Sequence, residues 1–512
     1  MSAVEIRKVA VIGAGVMGAG IAAHIANAGI PVVLLDIVPK DADNRSVIAE
    51  SAVAKMLKAN PAPLMHKRNA RLITIGNLED HLELLSDCDW IVEAIVENLS
   101  IKQDLYKKLE TVRKPGSMLS SNTSTIPMQD LISGMADGFA SQFMITHFFN
   151  PPRYMRLLEI AYSEQTNPDG LKAVRDFCDV GLGKGVVVCK DTPGFIANRI
   201  GIFWIQTAVL EAFEMGLTVE EADAVIGKPV GIPKTGVFGL SDLVGLDLLP
   251  YLMESMERTL PEGDPMLQRT QIPELISKMI ADGYTGRKGK GGFYRLNREG
   301  GKKVKESIDL QTGDYAPSVK ARLASVDASR KGGLKALISH EDKGGQYAWR
   351  VLSQVLSYAA SLIPEVGDDV LAVDTAMKLG YNWKFGPFEL IDQLGAGDFA
   401  DRLAAEGLPV PAMLEKARAG GFYQQNEGRI HYLDQTGEYQ LLERDEGVLL
   451  LSDIKLRSKP LAKNASASLW DIGDDVVCLE FTSKMNAMDP QILEMMNRAI
   501  GLVKSKYKAL VI

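Results

Sequence analysis

The stretch from Lys8 to Asp36 restricts the fold of this chain more tightly than any other. Lys8-Val9-Ala10-Val11-Ile12 reads as a short buried strand, and Gly13-Ala14-Gly15-Val16-Met17-Gly18 follows at once. Beyond it Ile21, Ile25 and Ala28 recur at helical spacing. Gly29 then stops the helix, and Pro31-Val32-Val33-Leu34-Leu35-Asp36 reads as a second strand ending in an acid. A glycine triplet alone says little. Strand, glycine turn, helix, strand and terminal acid in that order say much more, because each part is needed to seat a dinucleotide.

Each glycine has its own task in such a unit. Gly13 permits the tight turn, Gly15 lets the backbone approach a pyrophosphate, and Gly18 allows the helix to pack closely on the strand. The helix N-terminus, at Val16 and Met17, offers unpaired N–H groups and a partial positive charge to phosphates. Asp36 can accept both ribose hydroxyls of an adenosine and would repel a 2′-phosphate, so NAD is expected over NADP. Further strands are expected at Leu72–Thr74, Trp90–Val92, Ser117–Ser121 and Phe143–His147, with a helix over Ile101–Val112. This is a doubly wound sheet, whose ligands lie at the carboxyl ends of its strands.

Length and composition narrow the field. At about 150 residues per domain, 512 residues predict three or four domains. Fifty-seven Lys and Arg stand against 65 Asp and Glu, a net charge of −8, so a nucleic-acid partner is not expected. Cys88, Cys178, Cys189 and Cys478 are scattered, as are the six histidines, so neither a zinc site nor any other metal centre is predicted. No signal peptide is recognisable and no apolar run approaches the ~20 residues that span a bilayer. The expectation is a reduced, cytoplasmic protein without a membrane span.

The strand ends carry the chemistry. After Ile91-Val92 comes Glu93-Ala94-Ile95-Val96-Glu97-Asn98, with Lys102 beyond it. The next strand ends in Ser121-Asn122-Thr123-Ser124, and the one after in His147-Phe148-Phe149-Asn150-Pro151, followed by Glu159 in the strand-like run Leu157–Ile160. Asp191-Thr192-Pro193-Gly194-Phe195-Ile196-Ala197-Asn198-Arg199 opens a long apolar helix. With the glycine loop, these five motifs in this order over residues 5–294 resemble the L-3-hydroxyacyl-CoA dehydrogenase family.

The resemblance implies oxidation of the 3-hydroxyl of an acyl-CoA thioester, with hydride passing to NAD. An alcohol losing hydride must also lose a proton, and His147 suits that base while Glu159 would fix its tautomer. Ser124 and Asn198 match family positions that hydrogen-bond the substrate oxygens and the nicotinamide side. Gly13, Gly15, Val16, Met17, Gly18, Asp36, Glu97, Lys102, Ser124, Asn150 and Lys288 match cofactor contacts, and Ser51 and Lys58 align with a pair contacting CoA. His24, off the apolar stripe of its helix, reads as a surface or pyrophosphate-proximal residue without catalytic work.

The second half repeats part of the first. Asp242 in Gly239-Leu240-Ser241-Asp242 aligns with Asp392 in Glu389-Leu390-Ile391-Asp392, and Gly292-Phe293-Tyr294 aligns with Gly421-Phe422-Tyr423. The second copy has no counterpart of Asp191–Phe195, so it is expected to do no chemistry. The last segment, two strands over Ser468–Phe481, Met485-Asn486-Ala487-Met488-Asp489, a helix and a strand at Ala509–Ile512, resembles the opening of an enoyl-CoA hydratase (crotonase) domain. It stops in an apolar strand, as the front of a longer fusion would, and no hydratase activity is expected of it.

The expected architecture is therefore an α/β Rossmann-type NAD-binding domain followed by tandem all-α dehydrogenase C-terminal domains and a partial crotonase-like β-α-β. Its boundaries are an NAD-binding domain at 1–188, a first helical copy at 189–296 and a linker at 297–343. A second copy at 344–424, a connector at 425–465 and the incomplete crotonase-like start at 466–512 follow. A tandem copy would occupy the surface through which single-copy members of the family pair, so no dimer is expected there. Two alternatives stand beside an acyl-CoA dehydrogenase: a β-hydroxyacid dehydrogenase acting on a free acid, and a scaffold that binds NAD without catalysis. Some relatives of the first kind use a lysine as base, which His147 and Glu159 argue against. Their retention also argues against the scaffold.

Overall fold

The computed structural model describes residues 5–298 and 303–512, which form two compact units, 1–419 and 420–512. The first begins with an eight-stranded sheet: β1 Val9–Ile12, β2 Val32–Asp36, β3 Ile73–Asn77, β4 Trp90–Glu93, β5 Met118–Ser121, β6 Phe143–Phe148, β7 Leu157–Ala161 and β8 Gly185–Val188. Their order is β3-β2-β1-β4-β5-β6-β7-β8. β1, β2, β4, β5 and β6 are buried nearly end to end, as strands covered on both faces must be. Helices α1 Val16–Asn27, α2 Val47–Met56, α3 Leu99–Glu110, the single turn α4 Met128–Ile132 and α5 Pro168–Asp176 connect the strands.

Two features of this sheet place the chemistry. The strand order reverses between β1 and β4, which opens a crevice at their carboxyl ends. β7 then runs antiparallel to β6, a direction change that the motifs do not announce, and this register sets His147 directly opposite Glu159. Neighbours paired across strands project to the same face.

Helices α6 Ala197–Glu214, α7 Val219–Val225, α8 Gly236–Val244, α9 Leu249–Thr259 and α10 Glu274–Ala281 follow. They lead into an antiparallel three-stranded meander, β9 Tyr294–Asn297, β10 Val304–Ile308 and β11 Tyr315–Pro317. Next comes α11 Ala324–Ile338, broken at Gly333. α12 Lys343–Ser361, α13 Val370–Gly380, α14 Pro387–Leu394, α15 Ala396–Ala405 and α16 Ala412–Ala417 repeat the helical pattern. The polar stretch expected to be a linker at 297–343 thus holds two strands and a helix, apart from residues 299–302, which lie outside the described residues.

The duplication reaches individual hydrogen bonds. Asp223 on α7 accepts the amides of Phe238 and Gly239 at 2.8 and 3.2 Å, and Asp374 on α13 accepts those of Phe388 and Glu389 at 2.9 and 3.2 Å. A side chain at Gly236 or Gly386 would strike that carboxylate, so both positions exclude one. The second copy covers α6. Tyr347 donates to the Ala208 carbonyl at 2.8 Å, Phe203 stacks on Tyr358 at 4.1 Å, and Trp204 meets Trp383 edge-on at 5.1 Å. Arg199, wholly buried, pairs with Asp264 and with Glu365 at 3.0 Å and donates to the Tyr358 hydroxyl at 2.5 Å.

The second unit opens with a matching meander, β12 Tyr423–Asn426, β13 Arg429–Leu433 and β14 Tyr439–Leu441. Tyr439 donates to the Gly421 carbonyl at 2.7 Å, as Tyr315 does to that of Gly292 at 2.6 Å. So the repeat extends through the meander, and the expected connector at 425–465 contains it together with α17 Leu451–Arg457. The chain closes with a four-stranded sheet, β15 Ala462–Lys463, β16 Ala467–Asp471, β17 Val476–Phe481 and β18 Ala509–Val511, packed on α18 Pro490–Ser505. β18 runs parallel to β17, consistent with a crotonase-like fragment. Among the described residues no single helix is long and apolar enough to cross a membrane.

Candidate active site

The glycine loop makes the tight turn and the close helix–strand approach that its spacing predicts. Gly13 has φ +100°, and a Cβ there would lie 2.5 Å from the Ala94 carbonyl oxygen at the end of β4. A Cβ on Gly18 would run into the Gly13 carbonyl. Gly15, by contrast, faces open space, and α1 has no side-chain cap, so its first amides point outward unpaired by any capping group. Asp36 at the end of β2 accepts the amides of Ala14 at 2.5 Å and Ile37 at 2.6 Å, which aims its carboxylate at the same crevice. These residues fit a dinucleotide: anion-ready amides, a clear approach, and a carboxylate for the ribose.

A cavity of about 770 Å³ extends from this loop. Gly15, Val16 and Asp36 line it together with Ser51 and Lys55 on α2 and the loop from Asn150 to Tyr154. Ser51 is therefore brought to the crevice. Lys58, expected beside it, does not line the cavity; Lys55, one helical turn earlier, does.

At the next strand ends the structure builds a carboxylate hub around a residue that the motif passed over. Glu93, fully buried, accepts from Lys102 at 2.6 Å, the Tyr106 and Ser121 hydroxyls at 2.7 Å each, and the Ile95 amide at 2.8 Å. Lys102 also reaches Glu97 at 3.3 Å. Glu97 in turn accepts the Thr123 hydroxyl and, at 3.1 Å, the Ser124 amide. Burial pushes the Glu97 carboxyl up, but the Lys102 charge and these donors overcome it and hold the carboxyl below its usual range. Lys102 is itself buried, so its ammonium braces the loop that carries Ser124.

His147 and Glu159 meet across β6 and β7, with Nδ1 to Oε2 at 2.8 Å. Both are buried, at 6% and 0% exposure. The other carboxylate oxygen of Glu159 accepts the amides of Ile196 at 3.1 Å and Ala197 at 2.8 Å, at the N-terminus of α6. Phe149 and Phe195 stand over the imidazole at 4.6 and 5.4 Å between ring centres. Asn198, half-buried, follows two residues after the helix cap Ile196, which has no polar side chain with which to cap. His147, Glu159 and Asn198 are thus joined through one helix end.

Two predicted positions lie elsewhere. Lys288 pairs with Asp247 at 2.8 Å, half-exposed on the helical domain, and does not line the cavity above the glycine loop. His24 is not at the surface. It is 6% exposed, with Nε2 on the Leu182 carbonyl at 3.0 Å. Burial first, then the nearby Lys184 charge, lowers its pKa to about 4, so the ring is neutral. Lys184 is buried beside it, its pKa lowered by burial to about 8, and its ammonium donates to the Met155 carbonyl at 2.7 Å and to that of Pro152. It braces the loop carrying Asn150, a role that no local motif marks.

Comparison with known proteins agrees with this geometry. Residues 8–192 match the family described as "3-hydroxyacyl-CoA dehydrogenase, NAD binding domain" and residues 194–296 its "C-terminal domain". The chain is 40% identical to a "Probable 3-hydroxyacyl-CoA dehydrogenase" of Bacillus subtilis, over 99% of this chain and 66% of that protein. It is 37% identical to a "Putative fatty acid oxidation complex trifunctional enzyme" of Rickettsia felis, over 99% and 67%. It therefore spans about two thirds of the length of these relatives. Among solved structures, a 3-hydroxybutyryl-CoA dehydrogenase from Escherichia coli shares the fold with a TM-score of 0.60 at 21% identity, covering 81% of this chain and 98% of that one.

Proposed function

The chain belongs to the 3-hydroxyacyl-CoA dehydrogenase family, and on that footing we propose that it oxidises an L-3-hydroxyacyl-CoA to the 3-ketoacyl-CoA with NAD, as a step of fatty-acid β-oxidation. One observation carries the reading. Glu159 engages His147 Nδ1 with one oxygen and two helix amides with the other, so it is fixed in place. His147 then donates from Nδ1, and its Nε2 carries the lone pair.

In this mechanism His147 Nε2 takes the proton of the 3-hydroxyl while the hydride on the same carbon leaves, and the C–O bond becomes a carbonyl. NAD, when bound, accepts that hydride. Glu159 stabilises the imidazolium that forms, and Phe149 and Phe195 keep water from the ring. Ser124 and Asn198 hydrogen-bond the 3-oxygen and the thioester carbonyl. The amides after Gly15 would hold the pyrophosphate of the cofactor, Asp36 its adenosine ribose, and Asn150 its nicotinamide side, while Glu97 and Lys102 position the Ser124 loop. Ser51, with Lys55 in place of Lys58, serves the CoA moiety.

The second helical copy does no chemistry in this reading. It covers α6 within the chain, so α6 forms no dimer contact, and sedimentation equilibrium checks this. Turnover of NADH is followed at 340 nm with acetoacetyl-CoA and with free acetoacetate. Oxidation with the thioester alone is expected; oxidation with the free acid alone overturns the substrate assignment.

A further inference from the structure

The helical repeat supplies an internal control, because the same scaffold occurs twice with different charges. In the first copy a cavity of about 1210 Å³ opens between α8, the loop 283–291 and the β9–β11 meander. Its wall carries Lys234, Arg287, Lys290, Arg295, Lys305 and Lys320, together with Arg298 and Arg330. Aligning the two Gly-Gly-Phe-Tyr segments and the meander registers sets Ala419 at the place of Lys290, Gln424 at that of Arg295 and Ile430 at that of Lys305. Basic residues remain at the places of Lys234, Arg287 and Lys320, as Lys384, Lys416 and Arg444. The first copy thus carries positive charge at Lys290, Arg295 and Lys305 where the repeated fold does not require it, while the second carries Arg418 at the place of Gly289.

Among the described residues the carboxylates in the same wall make no ion pair with these cations, although the Arg287 and Lys305 charges act on Asp242 and Arg295 is paired with Glu306 at 2.7 Å. Asp223 faces the amides of Phe238 and Gly239 and the Tyr294 hydroxyl. Asp242 accepts the amides of Phe293 and Tyr294, and Glu220 the Ser307 and Ser318 hydroxyls. Burial raises Asp223 to about 7, which weakens its negative charge near neutrality, and Asp242 to about 6, while at Glu220 burial is outweighed by the Ser307 and Ser318 hydroxyls, which hold it below its usual range. Among the described residues, the side chains of Lys234, Arg287 and Lys320 make no hydrogen bond or ion pair. Eight cations around one concavity, in a chain of net charge −8, form a local anion trap.

We propose that this cavity binds a small organic polyphosphate of nucleotide size, carrying at least two phosphate groups. A concavity of this volume fits a coenzyme or nucleotide, and the overall negative charge disfavours a polyanionic polymer. Lysine and arginine clusters are the ordinary partners of phosphate oxygens. The site shares no lining residue with the cavity above the glycine loop, and its occupancy does not depend on the dehydrogenase reading. CoA thioesters and free nucleotides both offer this chemistry.

The test is calorimetric titration of the full chain, saturated with NADH, with adenosine 3′,5′-bisphosphate and separately with ADP. The triple variant Lys234→Gln/Arg287→Gln/Lys320→Gln changes only exposed side chains, and circular dichroism confirms that it is folded. The expected result is one bound ligand fewer per chain than in the wild type, or an affinity at least about tenfold weaker. Lys290→Ala/Lys305→Ile, which installs the second copy's residues, weakens binding in the same direction. Binding of the bisphosphate alone identifies a CoA-type ligand, and equal binding of ADP a free nucleotide. Isotherms identical in wild type and both variants, or no binding beyond the NADH site, overturn the proposal.

Discussion

Helix α6 opens the first helical copy with its foremost amides on Glu159, while its counterpart α12 opens on a cap of its own, Asp342, whose carboxylate accepts the amides of Gly345 and Ser325 at 2.9 Å each. The two helices lie in repeated scaffolds, yet only the one without a polar cap is free to hold a carboxylate from another element. A helix N-terminus left uncapped is a functional resource; one that caps itself is closed. The duplicated copy has therefore kept the skeleton, down to the matched Asp223 and Asp374 bonds, without the contact that makes the first copy part of the active site.

The largest effect tests that contrast directly. Glu159→Gln should lower kcat for acetoacetyl-CoA by about 10²–10⁴-fold with NADH affinity nearly intact. Asp342→Ala, at the equivalent helix start, should cost about 1 kcal/mol of stability and leave kcat unchanged. Equal kinetic effects from both would erase the distinction between the copies.

Next in size is Arg199, which pairs with Asp264 inside the first copy and reaches Glu365 and Tyr358 of the second. Arg199→Met leaves Asp264 buried without its cation, and urea denaturation should register a loss of about 3–5 kcal/mol. Glu365, 42% exposed on its side chain, should matter far less, with Glu365→Gln costing less than about 1 kcal/mol.

A pH dependence sharpens the comparison further. Burial, opposed by the Phe238 and Gly239 amides and the Tyr294 hydroxyl, raises Asp223 from 3.8 to about 7. The native state then holds the proton more tightly than the unfolded chain, so stability falls as pH rises from 3.8 to about 7. Asp223→Asn should flatten that decline, on the order of 2–4 kcal/mol in denaturant midpoints converted to free energy. An unchanged slope would mean that Asp223 is not the group responsible.

The smallest effect is expected at Lys288. Its exposed pair with Asp247 lies on the helical domain, so Lys288→Ala should change the KM for NADH by less than about twofold. A tenfold rise would restore it as a cofactor contact.

Sequence patterns carried the parts whose chemistry is local. The glycine loop, Asp36 and the ends of β5 and β6 lie within short segments that each state their purpose. What remained hidden depended on partners far along the chain. His24 is buried with its Nε2 donating a hydrogen bond to the carbonyl of Leu182, 158 positions away, and Lys184 and Glu93 act on loops that no spacing links to them. The meanders look like linker and connector in the sequence because their strands are short, polar and mostly exposed, as in Tyr423-Gln424-Gln425-Asn426, and show no alternation of apolar residues. Their place in the repeat is visible only when Asp309-Leu310-Gln311-Thr312-Gly313 is set beside Asp434-Gln435-Thr436-Gly437 as a turn between paired strands.

The central claim is that His147, held by Glu159, is the base. The decisive measurement is the kcat for NADH-dependent reduction of acetoacetyl-CoA by His147→Ala, taken together with NADH affinity measured by fluorescence titration. A fall of about 10²–10⁴-fold in kcat at unchanged NADH affinity is the predicted result. Wild-type turnover, or a loss of NADH binding that accounts for the lost rate, would contradict it.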